Sequence, residues 1–434
     1  MINIISDKDL AAKNLTAYNA DYNTYEKQVK EVLNQVREQG DEAVFAYTKQ
    51  FDGSDVHADN FLVTQGEIDA AYDQVEEKFI AALRKARGKI TAFHQKQLRN
   101  SWLEPETDGT MLGQLIRPLK RVGIYVPGGT ASYPSSVLMN AIPAQVAGVK
   151  EIVMVTPPIR GTTAVNPYTL VAAREAGVEF IYKMGGAQAV GALAYGTQSV
   201  SKVDKITGPG NIYVTLAKKL VYGEVDIDML AGPSEIVILA DQEANPVYIA
   251  ADLLSQAEHD VLAASILVTP SEKLAHQVKL ELARQLAELP RQDIARQALE
   301  NKGAIVLTDD ILAAIEMVNH LAPEHLELLV TEPFKLLGKI ENAGAIFIGP
   351  YSPEPIGDYM AGPNHVLPTG GTAKFYSPLN VDTFLKKSSV IYYSAEALLE
   401  NGRDTIILAE GEGLMAHANA VRVRLKDLGG DNFE

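Results

Sequence analysis

The chain has 434 residues, of which 47% are hydrophobic and 22% charged, with a formal net charge of −16 at pH 7 and no cysteine. This length exceeds what one hydrophobic core usually supports, so two or more domains are expected, and the negative charge opposes binding to nucleic acid or an anionic membrane. Without cysteine the protein has no disulfides, thiolate metal sites or thiol nucleophiles, so nitrogen and oxygen ligands must hold any metal.

The N-terminus, MINIISDKDLAAKN, has no basic segment followed by an apolar one. No stretch of the chain is apolar for long enough to cross a bilayer. We therefore expect a cytoplasmic protein with a small-molecule substrate, without a nucleic-acid or membrane partner.

The first hundred residues predict helices. Apolar residues recur at intervals of three and four from Ile68 to Ile90, and Glu, Lys and Arg fill the positions between them. This pattern predicts one amphipathic helix over residues 68–90.

From residue 121 the pattern changes to short β-branched runs, each followed by Gly or Pro and then by a helical pattern. The predicted strands are VGIYV, EIVMVT, FIYKM, KIT, EIVILAD, ASILVTP, GAIVLTD, LELLV and GAIFIGP. Strands that alternate with helices predict parallel sheets covered by helices on both faces.

An irregular stretch rich in Pro and Gly covers residues 350–378, and a tail of about 50 residues that includes helical patterns follows it. A loop of this length in a compact chain is usually functional. The tail is too short for a good core of its own, so we expect it to dock on something else, such as a second subunit.

Open parallel sheets bind ligands beyond the carboxyl ends of their strands, which selects the Gly-rich turns as candidates for phosphate or dinucleotide contact. KITGPGNIY comes closest to a dinucleotide-binding fingerprint, but Tyr213 stands where the third glycine would be. On its own this match is weak, because such turns are commonly structural.

Two pairs of polar residues are candidates for chemistry. Gln256 and His259 are one turn apart at the end of the helix predicted from PVYIAADLL, although an isolated pair of this kind is more often an ordinary helix end. Glu324 and His325 are adjacent in APEHLEL, and a carboxylate beside an imidazole suits proton transfer.

Asp358 in the long loop and His417 in the tail could join Gln256 and His259 in a cation site of mixed nitrogen and oxygen ligands. Sequence spacing alone cannot bring these distant segments together.

Seven motifs occur in an order that resembles the histidinol dehydrogenase family, and the resemblance covers residues 26–425. The motifs are PGGTASYPSSVLMNAIPAQVAGV, GGAQAVGALAYGT, VDKITGPGN, IDMLAGPSE, DLLSQAEHD, APEHLEL and GDYMAGPNHVLPT.

This resemblance implies an α/β fold with two Rossmann-like domains, each with a parallel sheet, in an arrangement similar to that of aldehyde dehydrogenases, plus small helical terminal domains. The implied parts are an N-terminal segment (1–25), a larger Rossmann-like domain with the catalytic residues (26–120 and 236–378), a second Rossmann-like domain with the NAD contacts (121–235) and a helical C-terminal segment exchanged across a homodimer (379–434).

The implied activity is the zinc-dependent, NAD-linked oxidation of L-histidinol to L-histidine through L-histidinaldehyde, the last step of histidine biosynthesis. The implied zinc ligands, for one ion per subunit, are Gln256, His259, Asp358 and His417. His325 and Glu324 correspond to the catalytic pair: His325 would take the hydroxyl proton, and Glu324 would activate the water that hydrates the aldehyde.

Other site residues also follow from the resemblance. Ser234 and Glu412 correspond to substrate contacts, as do Gln256, His259, His325, Asp358 and His417, while Tyr125, Gln188 and Asn211 correspond to NAD contacts. Glu412 and His417 would serve the partner's site, so the active sites would be shared between subunits.

Three other functions remain open from the residues. A related zinc and NAD dehydrogenase could act on another chelating alcohol. A zinc hydrolase could use Glu324 to activate water without NAD, and a non-catalytic NAD-binding or metal-storage protein would not need His325.

Five histidines stand outside these roles. A structural role for His365 in PNHVLPT is at least as well founded as a catalytic one. The other four match no motif and are expected at the surface: His57, His94, His276 and His320.

Overall fold

The computed structural model describes residues 2–7, 9, 22–128 and 132–429. Residues 1–97 and 119–384 belong to a larger unit, and residues 98–118 and 385–434 belong to a smaller one. The domain boundaries given above remain predictions, and most of the expected N-terminal segment, including residues 10–21, lies outside the described residues.

Four helices follow in the N-terminal part of the larger unit: α1 (Tyr22–Gln39), α2 (Asp41–Asp52), α3 (Gln65–Tyr72) and α4 (Glu77–Gln95). The prediction of one helix over residues 68–90 is wrong, because the chain leaves the helical conformation between α3 and α4. Val75, in this linker, is buried like Ile68 before it and Leu83 after it. The apolar spacing therefore continues across the break, so periodicity alone could not reveal that the segment forms two helices.

The first of two parallel sheets follows, and its strands are β4 (Arg121–Tyr125), β5 (Glu151–Thr156), β6 (Phe180–Lys183), β7 (Lys205–Thr207) and β8 (Asp226–Ile227). The helices between them are α5 (Pro134–Ala147), α6 (Pro167–Glu175), α7 (Gly186–Tyr195) and α8 (Ile212–Val221). The predicted strands of this region are confirmed, and the spatial order is β6-β5-β4-β7-β8.

The second parallel sheet has six strands: β1 (Asn3–Ser6), β9 (Glu235–Ala240), β10 (Ala264–Thr269), β11 (Ala304–Leu307), β12 (His325–Leu329) and β13 (Ala345–Ile348). Its helices are α9 (Pro246–Ala257), α10 (Glu272–Leu286), α11 (Gln292–Lys302), α12 (Ile311–Leu321) and α13 (Pro333–Leu337). The spatial order is β1-β11-β10-β9-β12-β13, so the N-terminal strand, which the sequence pattern did not predict, extends one edge.

Both sheets have the strand order of a doubly wound fold. In the five-stranded sheet, β4 has the next two strands along the chain on one side and the following two on the other. In the six-stranded sheet, β9 has β10 and β11 on one side and β12 and β13 on the other, and β1 is added beyond β11. The order reverses between β4 and β7 and again between β9 and β12, and such switch points are where open sheets form crevices. The predicted α/β class with parallel sheets is confirmed.

The core of the six-stranded sheet shows why its strands are continuously apolar. Ile236 and Ile238 pack with α9, α10 and α11, whereas Val237 and Leu239 pack with α12 on the opposite face. Successive side chains of a strand point to opposite faces, so a sheet covered on both sides needs apolar residues at every position.

The long loop over residues 350–378 is largely irregular, as predicted, with a helical turn, α14 (Glu354–Ile356), that continues into a π-helical turn (Gly357–Ala361). Two 3₁₀ turns follow at Thr372–Lys374 and Val381–Phe384. The loop returns to β9 through Gly370, whose N–H donates to the carboxylate of Glu235 at 3.1 Å.

The smaller unit contains an antiparallel sheet in the order β14-β3-β2, formed by β2 (Trp102–Pro105), β3 (Met111–Pro118) and β14 (Leu385–Tyr392). Its two helices, α15 (Ala395–Gly411) and α16 (Met415–Asp427), pack together through Ile406, Ala418 and Leu425. In the part of the chain that the structure describes, no helix combines the length and the apolar character needed to cross a membrane.

Packing of α7 on its sheet generates a prediction about two glycines. A Cβ atom on Gly123 in β4 would lie 2.8 Å from a methyl carbon of the buried Leu193 in α7, so Gly123→Ala should lower the free energy of unfolding by about 1–3 kcal/mol. Gly88→Ala in α4, where a Cβ meets no atom within 4 Å, should instead raise it by about 0.5–1 kcal/mol. Urea denaturation of both variants checks the signs, and equal effects would contradict this packing argument.

Candidate active site

Glu324 and His325 lie at the amino edge of the six-stranded sheet, where β12 runs beside β9. Both side chains are buried. The backbone of Glu235 binds both of them: its N–H donates to Oε2 of Glu324 at 2.8 Å, and its carbonyl lies 2.9 Å from Nδ1 of His325. Parallel pairing of His325 with Ile236 sets this contact, so the sheet register fixes the pair.

The hydrogen bond from His325 to Glu235 also assigns its tautomer. A carbonyl oxygen can only accept, so Nδ1 carries the proton and Nε2 is left as a proton acceptor. Nε2 is buried and has no hydrogen-bond partner in the part of the chain that the structure describes. Burial lowers the pKa of His325 to about 4, which keeps the imidazole neutral near pH 7.

Two carboxylates of the long loop face His325. One ligand atom each from His325, Glu354 and Asp358 can lie within 4.8 Å of one another, and Oε1 of Glu354 is 3.8 Å from Nε2 of His325. Glu354 and Asp358 are four residues apart and enter the site from α14 and the π-helical turn that follows. An imidazole and two carboxylates are suitable ligands for a divalent cation.

Gln256 and His259 are neighbours, as the sequence predicts. Gln256 ends α9 and is fully buried, and its Nε2 lies 3.2 Å from Nδ1 of His259 just beyond the helix end. Its Oε1 is buried without a hydrogen-bond partner among the described residues. Four apolar residues of the same helix are buried, Ile249, Ala250, Leu253 and Leu254, but Val247 is exposed.

His259 and Asp358 approach the catalytic pair from different segments. His259 is close enough to His325 and His365 to lower the pKa of each, although burial is the largest cause of both shifts. Nδ1 of His365 is 3.8 Å from Oδ1 of Asp358. The structure therefore places Gln256, His259 and Asp358 in one neighbourhood with His325.

Buried acids give this site its electrostatic character. Burial raises the pKa of Glu324 well above its ordinary value, and the nearby carboxylates of Glu235 and Glu354 add to the rise. Burial also raises the pKa of Glu235 to about 7, and burial followed by the charge of Asp358 raises the pKa of Glu354 to about 8. A cation bound here would oppose these shifts, because positive charge favours the ionised carboxylates.

A second pair of acids lies behind Glu354. Oε1 of Glu327 in β12 accepts a hydrogen bond from the backbone N–H of Glu354 at 3.0 Å, and its side chain is hydrogen-bonded to Asp252 of α9. Burial, then the charge of Asp252, raise the pKa of Glu327, and burial raises the pKa of Asp252. A proton shared between the two carboxyl groups allows them to lie together in the interior.

The residues expected to contact NAD lie at the carboxyl edge of the five-stranded sheet, at the ends of β4, β6 and β7. The hydroxyl of Tyr125 accepts a hydrogen bond from the N–H of Gly186 at 3.0 Å. Gln188 is fully buried in α7, and neither amide atom has a hydrogen-bond partner within residues 2–7, 9, 22–128 and 132–429. Oδ1 of Asn211 caps α8 by accepting from the N–H groups of Tyr213 and Val214, which leaves its Nδ2 for a ligand.

The remaining expected site residues lie in two places. Ser234 directly precedes Glu235, so it stands at the amino edge of the six-stranded sheet, where its carbonyl accepts from the N–H of Ala264. Glu412 and His417 belong to the smaller unit, at the end of α15 and near the start of α16.

The sequence reasoning missed three acids of the site: Glu235, Glu327 and Glu354. Glu354 had a usable signal, because it precedes Asp358 by four residues and shares its face in any helical turn. The expectation that His94 is a surface residue is wrong. It is fully buried, with Nδ1 hydrogen-bonded to Oε1 of Gln97 at 2.8 Å.

Comparison with known proteins gives consistent matches over nearly the whole chain. The sequence model of the histidinol dehydrogenase family matches residues 15–425. The chain is 64% identical over 399 residues to the histidinol dehydrogenase of Heliobacterium mobile, an alignment that covers 92% of this chain and 93% of that protein. It is 60% identical over 399 residues to that of Halalkalibacterium halodurans, with the same coverage of 92% and 93%.

A solved structure gives the same result. The crystal structure of histidinol dehydrogenase from Elizabethkingia anophelis superposes with a TM-score of 0.91 at 40% sequence identity, and the match covers 96% of each chain.

The buried acid pair generates a prediction about pH. Because the pKa of Glu327 is raised in the folded state, folding takes up a proton, and stability falls as the pH rises above the ordinary range of a glutamate. Glu327→Gln removes this loss, so it should stabilise the protein by about 1–2 kcal/mol at pH 8 and by less at pH 5.

Chemical denaturation of wild type and variant from pH 5 to pH 8 measures this difference. Glu77→Gln, at an exposed helix position, controls for the loss of one negative charge. A stability difference that is independent of pH would contradict the assignment of a neutral Glu327 in the folded protein.

Proposed function

The chain belongs to the histidinol dehydrogenase family, and we propose that it catalyses the zinc-dependent, NAD-linked oxidation of L-histidinol to L-histidine by way of L-histidinaldehyde. Membership makes it an oxidoreductase of histidine biosynthesis. The main observation behind the proposed reaction is the buried pair Glu324 and His325. The backbone of Glu235 binds both side chains, and the carboxylates of Glu354 and Asp358 lie close to His325.

The nitrogen and oxygen side chains around Asp358 are suitable ligands for zinc. We propose that Gln256, His259 and Asp358 hold the ion together with His417 of the partner subunit, one ion per subunit. The buried, unpartnered Oε1 of Gln256 and the carboxylates with raised pKa values both favour a cation at this place. When bound, zinc would serve mainly as a template that fixes the imidazole and amine of the substrate.

His325 acts in the first oxidation. As the carbinol carbon transfers its hydride to NAD, the neutral Nε2 takes the hydroxyl proton, which leaves the aldehyde. The hydrogen bond from Nδ1 to Glu235 keeps the ring in the orientation that presents Nε2. Nε2 lies in a buried position, so the proton passes directly between substrate and imidazole.

Glu324 acts between the two oxidations. Its carboxylate takes a proton from water as the water oxygen adds to the aldehyde carbon, which leaves the hydrate as its anion. This anion would give up the second hydride to a second NAD and so become the carboxylic acid. The N–H of Glu235 stabilises the ionised carboxylate. The thiohemiacetal route of cysteine-dependent aldehyde oxidation is closed to this chain, because it has no cysteine.

We propose that NAD binds at the carboxyl edge of the five-stranded sheet, in contact with Tyr125, Gln188 and Asn211. Two observations support this position. The edge contains the switch point between β4 and β7, and the buried amide of Gln188 has no hydrogen-bond partner among the residues that the structure describes.

A homodimer with shared sites completes the proposal. In the smaller unit, three large apolar residues are more than 60% exposed within the described chain: Ile391, Ile407 and Leu408. An apolar surface of this kind supports an interface with a second copy. Each tail would then contribute Glu412 and His417 to the partner's site. Ser234 would be a further substrate contact, from the subunit that supplies Glu324 and His325 to that site. The expected location is the cytoplasm.

The stoichiometry of turnover tests the reaction. Purified protein with a limiting amount of L-histidinol should form about two NADH for each substrate, because both oxidations use NAD. No NADH with L-histidinol, but NADH with another chelating alcohol, would favour the related dehydrogenase instead. Hydrolysis without NAD would favour the hydrolase.

Two variants separate the steps in the same assay. His325→Asn should lower the rate of alcohol oxidation by about 10²–10⁴-fold. Glu324→Gln should retain more of the first oxidation than of the second, and full activity in both variants would contradict the assigned roles.

Metal content tests the proposed ligands. His259→Ala and Asp358→Ala should each lower the zinc retained after dialysis by tenfold or more, because each removes one protein ligand. Asp260→Ala, next to His259 and exposed like it, is the matched control and should keep its zinc. Elemental analysis of the dialysed proteins gives the ratio of zinc to subunit, and wild-type zinc in both ligand variants would overturn the assignment.

A further inference from the structure

A buried ion pair encloses the glycine turn at the switch point of the five-stranded sheet. Lys218 in α8 and Asp228 after β8 form this pair, and their side chains are 3% and 1% exposed. Nζ of Lys218 donates to the carbonyl of Gly208 at 3.0 Å, and the N–H of Gly208 donates to Oδ2 of Asp228 at 2.8 Å. The two charges therefore bind both polar groups of a single residue.

Gly208 has little freedom on its other side. Its φ of +114° lies in the region that favours glycine, and a Cβ atom would stand 2.1 Å from the carbonyl oxygen of Tyr125 at the end of β4. The turn Gly208–Asn211 thus lies directly against the strand end that forms the other half of the switch point. Small shifts of Gly208 would move the capped start of α8 relative to β4.

Stability alone does not account for this arrangement. A buried ion pair is often no more stabilising than apolar residues of the same volume, because both charges lose their hydration. The pair is neutral overall, so it does not attract an anionic ligand by net charge. Its distinctive effect is geometric, since it fixes the N–H and the carbonyl of the glycine at the same time.

We propose that Lys218 and Asp228 are positioning residues that hold the Gly208–Asn211 turn in the conformation that binds the dinucleotide. This inference rests on the proposed NAD site. The pair touches neither the catalytic residues nor the zinc ligands, so its effect is confined to the affinity for NAD.

The test uses the full-length protein with both charges removed. Lys218→Met/Asp228→Asn leaves no unpaired buried charge, and the asparagine keeps an oxygen acceptor, but the donor to the carbonyl of Gly208 is lost. The Kd for NAD, measured by titration calorimetry, should rise about tenfold, the effect of losing one charge-assisted hydrogen bond. Zinc content and the affinity for L-histidinol should stay at wild-type values.

The matched control is a second Lys and Asp pair, which joins β7 to β8. Lys205 and Asp226 form an ion pair at 2.8 Å, at the amino end of β7 and away from the turn, although they are less buried. Lys205→Met/Asp226→Asn should leave the Kd for NAD unchanged. The backbone amides of Gly208, Gly210 and Asn211 should exchange hydrogen faster in the 218/228 variant and not in this control.

Asp228→Asn alone, which is nearly isosteric, is the second variant if the double variant does not fold, and it should also weaken NAD binding.

An unchanged Kd in the folded 218/228 variants, or an equal rise in the control, would overturn the inference. A wild type that binds NAD but does not oxidise L-histidinol would refute the proposed reaction only, because the calorimetric comparison still tests the turn. A wild type that does not bind NAD would overturn both.

Discussion

The candidate active site depends on a single contact between two neighbouring strands. The N–H of Glu235 in β9 binds the carboxylate of Glu324, and the carbonyl of the same residue binds the imidazole of His325 in β12. This arrangement exists only if β12 pairs with β9 in the observed register, which places His325 opposite Ile236. The packing on both faces of β9 favours that register, because a shift by one residue would exchange the side chains that fit the two helix layers.

The two sheets contribute opposite edges to the proposed chemistry. The rule that ligands bind at carboxyl ends describes the five-stranded sheet, with its Gly-rich turns at Gly186 and Gly208. In the six-stranded sheet, two residues bridge the corresponding switch point between β9 and β12. Asp241, after β9, accepts hydrogen bonds from the N–H and the hydroxyl of Thr331, after β12. The reactive groups lie at the amino edge instead, where the long loop adds Glu354 and Asp358.

Local patterns were enough to predict nine of the eleven strands in the two parallel sheets, all except β1 and β8, and the closeness of Gln256 to His259, because each depends on neighbours in sequence. Features that depend on distant segments were missed. β14 has a largely polar sequence and exists through its pairing with β3, almost 300 positions earlier. His94 is buried because the chain folds over it, and nothing in its own helix distinguishes it from an exposed histidine.

The buried acids of the site show how its geometry and its function are connected. Three of them accept a backbone N–H from another segment: Glu324 from β9, Glu235 from the long loop and Glu327 from α14. These bonds join the loop to the sheet edge, so the acids build the site before any ligand enters. Apolar residues of equal volume would stabilise the fold at least as well. The acids are therefore best explained by the cation and the proton transfers that they can serve.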